Sequence, residues 1–125
     1  MSNSYAITEA PHSGPSQTSA APPADLITRL IHSVNTCDEP SFAALFTADA
    51  VIHDGGLRYT GPDAAIRWLR ESHDRYALRL HPLDISGHHP HWTLDSLVTG
   101  TFEGSPVRLD HYLTITHDRI SRLEV

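Results

Sequence analysis

The stretch FAALFTADAVIHDGG, residues 42–56, decides the fold of this chain because it joins a helix to a strand. The apolar spacing at the start of this stretch is helical and ends at Phe46. The polar residues 47–49 then predict a turn. An apolar pair then begins a short strand, residues 51–54, which ends at a double glycine. Because side chains alternate along a strand, Ile52 and Asp54 are expected on one face.

Asp54 is the first candidate for chemistry. If Ile52 faces a core, Asp54 enters the same apolar space, where desolvation disfavours the charged form of a carboxyl group. Carboxylates in such surroundings are typical of general bases. The alternative is that Asp54 caps the turn at Gly55 and faces water, since aspartate before glycine is common in turns.

Length and composition limit the classes of protein that are possible. A chain of 125 residues with 39% hydrophobic residues predicts one globular domain. The net charge of −6 argues against a nucleic-acid surface, which needs a basic stripe. No apolar run is long enough to span a membrane, and no secretory signal is present, so we expect a cytoplasmic protein without a membrane partner.

The chain divides into a tail and one domain. Residues 1–22 are rich in Ser, Pro, Ala and Gly, a composition typical of disorder, and residues 23–125 form the domain. Helices are predicted over 24–36, 40–46 and 63–73, and short strands over 51–54 and 57–60. A period of two then predicts four longer strands, over 76–86, 91–103, 106–117 and 119–125. Helices followed by a long meander indicate an α+β fold, in which three helices pack on a strongly curved antiparallel sheet and leave a conical pocket.

The strand over 106–117 has two faces with different chemistry. Apolar residues and His111 alternate with a second set that contains Asp110 and Tyr112. We expect the orientation that turns Asp110 into the pocket and leaves the face of His111, Leu109, Leu113 and Ile115 outside, as a surface for a homodimer. The inverted orientation places His111 inside and Asp110 outside, and a catalytic role for Asp110 would then fail.

Several segments resemble the nuclear transport factor 2-like superfamily, in its SnoaL-like and ketosteroid-isomerase-like branch. They are the run over residues 42–54, the segment GPDAAIRW over 61–68, LDHY over 109–112 and DRI over 118–120. The resemblance covers about residues 24–125. It implies a cystatin-like α+β roll and a homodimer, as is common in that superfamily.

The resemblance also implies site residues. Asp54 stands where ketosteroid isomerases have their general base, and Asp110 stands where they have a protonated aspartate that binds the enolate oxygen. We therefore expect Asp54 to be ionised and Asp110 to keep its proton. The family's helix-one tyrosine is replaced by Leu30, which argues against a strict steroid isomerase; Tyr59 and Tyr112 are alternatives for its role.

The predicted function is acid/base chemistry on a small apolar carbonyl or polyketide-like compound, as an isomerase, cyclase or dehydratase. The alternative is a ligand-binding or dimerisation module of the same fold. No phosphate or dinucleotide motif is present, so no cofactor is expected, and the histidines over 88–91 indicate a turn rather than a metal site. The expected catalytic residues are Asp54 and Asp110, and the expected substrate-binding residues are Leu30, Ile52, Tyr59, Trp68 and Tyr112.

Overall fold

The structure is a computed structural model that describes residues 22–125. The predicted tail therefore lies outside the described residues, apart from Pro22. The described part contains three helices, α1 (Ala24–Thr36), α2 (Glu39–Ala43) and α3 (Pro62–Tyr76). Six strands accompany them: β1 (Phe46–Asp54), β2 (Leu57–Thr60), β3 (Arg79–His88), β4 (His91–Thr99), β5 (Val107–Thr116) and β6 (Arg119–Glu124). The predicted α+β class is confirmed. None of these helices is long and apolar enough to cross a membrane.

Local sequence explains where the helices begin and end. α1 buries an apolar stripe and stops at Cys37, which adopts a left-handed conformation. The Asp38 side chain then accepts a hydrogen bond from the backbone N–H of Ser41 and caps α2. α3 has Pro62 at its first position, where the missing N–H costs nothing.

The six strands form one mixed sheet in the order β2-β1-β6-β5-β4-β3. The prediction of a purely antiparallel sheet is wrong, because β6 pairs with β1 in parallel, with Ile52 opposite Leu123. The other neighbouring strands pair antiparallel. Periodicity identifies strands but not their neighbours, so the return of the last strand to the first could not be read from it.

Several predicted boundaries also differ from the structure: the second helix, predicted to Phe46, ends at Ala43, and the strand predicted over 91–103 ends at Thr99. The segment 47–49, predicted as a turn, lies within β1, where Phe46 pairs with Ile120 and the register with β6 shifts before Val51. The predicted start of β3 at Tyr76 is wrong because α3 continues to that residue. A Cβ on Gly100 would lie 2.5 Å from the Tyr76 carbonyl oxygen, so this close approach, just after β4 ends at Thr99, requires glycine.

One face of the sheet packs on the helices, and the buried residues of β5 show which of its two sets of side chains lies on that face. His111, Leu113 and Ile115 are buried, whereas Asp110 and Tyr112 are exposed. The prediction that His111 and its apolar neighbours form an outer dimer face is therefore wrong. The physical reason is cross-strand pairing, because directly opposed residues share a face. Buried residues of β4 stand opposite this set, with Leu94 facing His111 and Trp92 facing Leu113.

Candidate functional site

A cavity of about 280 Å³ lies between α3 and the interior face of the sheet. Its wall is largely apolar and aromatic, and it holds one carboxylate and one imidazole. This combination of a predominantly apolar wall with a few polar groups is typical of small-molecule sites. The lining residues are Asp54, Trp68, Ser72, Tyr76, Leu78, Val98, Phe102, Val107, Leu109, His111 and Val125.

Asp54 is the carboxylate in this cavity. It ends β1 and stands opposite Leu57 in the hairpin with β2, which turns through two glycines of positive φ, 57° and 88°. The indole Nε1–H of Trp68 donates a hydrogen bond of 2.8 Å to Asp54 Oδ2. Trp68 is itself buried and stacks on Phe42 at a centroid distance of 5.8 Å. The carboxylate is therefore held in one orientation by a packed aromatic side chain.

His111 is the imidazole in the cavity and comes from the middle of β5. Only 4% of the residue is exposed, and burial lowers the pKa of the imidazole, because desolvation penalises its charged form. The nearby carboxylates of Asp54 and Asp110 oppose this shift with smaller effects. Nδ1 of the ring is buried without a hydrogen-bond partner within residues 22–125. His111 is therefore a neutral imidazole near pH 7, with unused hydrogen-bonding capacity.

Asp54 and His111 face the same space from two different strands. The ion pairs of residues 22–125 do not include one between these side chains. A carboxylate can accept a proton, and a neutral imidazole can donate a hydrogen bond to an oxygen. The arrangement can therefore move a proton on a bound ligand and stabilise the charge that forms.

The structure separates Asp110 from this site. Asp110 is exposed on the outer face of β5, directly opposite Asp95 of β4. Asp95 forms a two-pronged ion pair with Arg108, which lowers the pKa of the Asp95 carboxyl. The prediction that Asp110 faces the pocket as a proton-holding partner of Asp54 is wrong, because the inverted orientation of β5 turns it to solvent.

The predicted substrate-binding residues fall into three environments. Trp68 lines the cavity, whereas Leu30 and Ile52 are buried core residues outside its wall. Tyr59 is also buried, and its hydroxyl donates to Glu71 Oε1 at 3.0 Å. Burial and this bond raise the pKa of the phenol, so the hydroxyl is already engaged. Tyr112 is 51% exposed and stands on the outer face with Asp110.

The sequence reasoning missed His111 as a site residue. The signal was present, because His111 occupies the apolar set of its strand, where an ionisable side chain is unusual. No cluster of three or more His, Cys, Asp or Glu side chains suited to a metal ion occurs in residues 22–125.

Helices on one curved mixed sheet, with a cavity between them, define a nuclear transport factor 2-like fold. The SnoaL-like domain family matches residues 24–117, and the chain belongs to this family. The superfamily resemblance seen in the sequence is thereby confirmed. No curated protein matches the chain.

Solved structures agree with this assignment. A candidate polyketide cyclase from Sinorhizobium meliloti is 30% identical, with a TM-score of 0.77 over 80% of this chain and 92% of its own. A second candidate polyketide cyclase, from Xanthomonas campestris, is 19% identical, with a TM-score of 0.68 over 82% of this chain and 87% of its own. A protein of ketosteroid-isomerase-like fold from Catenulispora acidiphila, in complex with trimethylamine, is 16% identical, with a TM-score of 0.70 over 80% of this chain and 82% of its own. The last two likenesses show the fold alone.

Proposed function

We propose that this protein is an acid/base enzyme that acts on a small, largely apolar carbonyl compound. The observation that carries the proposal is that Asp54 and His111 face one apolar cavity from different strands. The candidate polyketide cyclase from Sinorhizobium meliloti supports a polyketide-like substrate. Isomerisation, cyclisation and dehydration are the reactions that such a pair serves, because each can begin by removing a proton next to a carbonyl group.

Asp54 acts as the general base in this reaction. The carboxylate takes a proton from the carbon next to the substrate carbonyl. The electrons of that C–H bond form a carbon–carbon double bond, and the π electrons of the carbonyl group move onto its oxygen. The Trp68 hydrogen bond to Oδ2 fixes the direction from which the base approaches. A positioned general base of this kind contributes about 10²- to 10⁴-fold in rate.

His111 binds the carbonyl oxygen of the substrate while the proton is removed. A neutral imidazole N–H donates to the oxygen as it becomes an enolate, and the apolar wall keeps competing water away. The imidazole stays neutral because burial lowers its pKa. One such donor contributes on the order of 10²- to 10³-fold in rate.

Exchange of the proton next to the carbonyl group tests this proposal without knowledge of the natural substrate. Enolisable ketones are screened for binding, and hydrogen–deuterium exchange at the carbon next to the carbonyl is followed by NMR. We expect Asp54→Asn to slow exchange by at least about a hundredfold while ligand binding is nearly unchanged. If bound ketones exchange no faster with the wild type than in solvent, the cavity serves a ligand-binding module instead.

We also propose a homodimer through the outer face of the sheet, which we define by Asp95, Arg108, Asp110 and Tyr112. Tyr112 supports this because it exposes 51% of its surface among charged neighbours, and aromatic residues are enriched at interfaces. Sedimentation velocity over a concentration series should show a dimer, and Tyr112→Glu should shift it to monomer. A wild-type monomer at every concentration would contradict the proposal.

A further inference from the structure

Two polar side-chain atoms are buried without a hydrogen-bond partner in the described part of the chain, Ser96 Oγ and His111 Nδ1. Ser96 is 0% exposed and His111 is 4% exposed. The great majority of buried polar atoms in proteins have a hydrogen-bond partner, so each unpaired atom calls for an explanation. The proposed function uses the edge of the imidazole that faces the cavity but leaves both of these atoms without a role.

Strand register places the two side chains next to each other. In the β4–β5 pair, Leu94 stands opposite His111 and Ser96 stands opposite Leu109. Ser96 and His111 are therefore diagonal neighbours on the interior face. Diagonal positions are roughly 7–8 Å apart, and the side chains shorten that gap. The two atoms are not bonded to each other in this structure, so the bond requires rotation of the Ser96 side chain about its Cα–Cβ bond, which moves Oγ relative to Nδ1.

A bond from Ser96 to Nδ1 determines what the other ring nitrogen offers. If the hydroxyl donates to Nδ1, the single proton of the neutral ring is on Nε2. Nδ1 is the enclosed nitrogen, so the Nε2 edge is the part of the ring that lines the cavity. The carboxylates of Asp54 and Asp110 favour the charged form of the ring, but neither forms a hydrogen bond with Nδ1. The Nε2–H group then faces the cavity and can donate a hydrogen bond to an oxygen atom of the ligand.

The size of the cavity limits the rest of the ligand. A cavity of about 150 Å³ lined by apolar side chains holds one benzene ring. The volume here is about 280 Å³, which corresponds to one or two rings inside the cavity. The wall contributes the rings of Trp68 and Phe102 beside aliphatic side chains, which suits an uncharged ring system.

We propose that Ser96 positions His111 through a buried hydrogen bond to Nδ1, and that the site consequently takes an uncharged one- or two-ring ligand whose carbonyl oxygen accepts from Nε2–H. The ligand class rests on the proposed function, whereas the Ser96–His111 bond does not. Ser96 is a positioning residue, because it acts on the ligand only through His111.

The hydrogen bond is tested by ¹⁵N NMR of the His111 ring in the full chain. In the wild type we expect a proton on Nε2 and an Nδ1 resonance displaced from that of an unbonded imidazole nitrogen. In Ser96→Ala the Nδ1 resonance should move to the unbonded position. The matched control is Ser33→Ala, which removes the other fully buried serine hydroxyl, one that donates to the Leu30 carbonyl. An unbonded Nδ1 in the wild type, or a bonded Nδ1 that Ser96→Ala leaves unchanged, overturns the assignment. The Nδ1 resonance of the wild type tests the hydrogen bond even if Ser96→Ala fails to fold.

Ligand selectivity is tested with 1-tetralone, its hydrocarbon counterpart tetralin and a four-ring steroid ketone. We expect 1-tetralone to bind about tenfold more tightly than tetralin, because only the ketone accepts from Nε2–H. Ser96→Ala should reduce this preference, and Ser33→Ala should keep it. Equal binding of tetralin, or tighter binding of the steroid, overturns the ligand class. Slow proton exchange in bound 1-tetralone would count against the proposed function alone.

Discussion

The buried imidazole of His111 should make the stability of the protein depend on pH in a predictable direction. Burial lowers the pKa of this ring in the folded chain, whereas in the unfolded chain it titrates near 6.5. Above pH 6.5 the ring is neutral in both states, and its full contribution to stability is present. As the pH falls below 6.5, the His111 ring binds a proton in the unfolded chain but not in the folded chain. Stability is therefore lost until the pH reaches the pKa of His111 in the folded chain.

The size of this effect follows from the proton count. One proton bound only by the unfolded chain lowers the free energy of unfolding by up to about 1.4 kcal/mol per pH unit. Urea unfolding at pH 7.5 and pH 5.5 should therefore show a larger loss in the wild type than in His111→Gln, by up to about 1.4 kcal/mol. His88→Gln removes an exposed histidine and should keep the wild-type loss. Equal losses in the wild type and His111→Gln would refute the assignment of a buried neutral imidazole.

Three further substitutions test other parts of the structure. Trp68→Phe keeps a ring on Phe42 but removes the 2.8 Å hydrogen bond to Asp54, so ketone exchange should fall by about tenfold or more, while binding measured by titration changes little. Leu94→Ala removes a fully buried side chain and should cost about 2–5 kcal/mol in urea unfolding. Arg29→Ala breaks an exposed ion pair with Asp25 and should leave the midpoint of thermal unfolding nearly unchanged; a large decrease would show that this surface pair contributes to folding.

Much of the fold could be predicted from local patterns. The apolar stripe of α1 and the double glycine after Asp54 gave element types that the structure contains, because periodicity and turn chemistry act over a few residues. The parallel pairing of β1 with β6 could not be predicted, because it joins residues about seventy positions apart, such as Ile52 and Leu123. Which strand lies next to which is a tertiary property.

The candidate site shows the same division between local and tertiary information. Alternation correctly separates Asp110 from His111, but it does not say which of the two faces the helices. That choice is made by the buried residues of β4, because Leu94 stands opposite His111 and holds it on the interior face. The family resemblance directed attention to Asp110, whereas the register of the sheet places His111, and not Asp110, in the cavity with Asp54.

The most direct test of the acid/base pair compares these two adjacent residues of β5. Deuterium exchange of a bound ketone is measured for the wild type, His111→Leu and Asp110→Asn at equal ligand occupancy. His111→Leu should slow exchange by about a hundredfold, because leucine has no donor for the enolate oxygen. Asp110→Asn should exchange at the wild-type rate, because Asp110 lies on the outer face. Loss of exchange in Asp110→Asn, with His111→Leu unaffected, would contradict the assignment of His111 as the partner of Asp54.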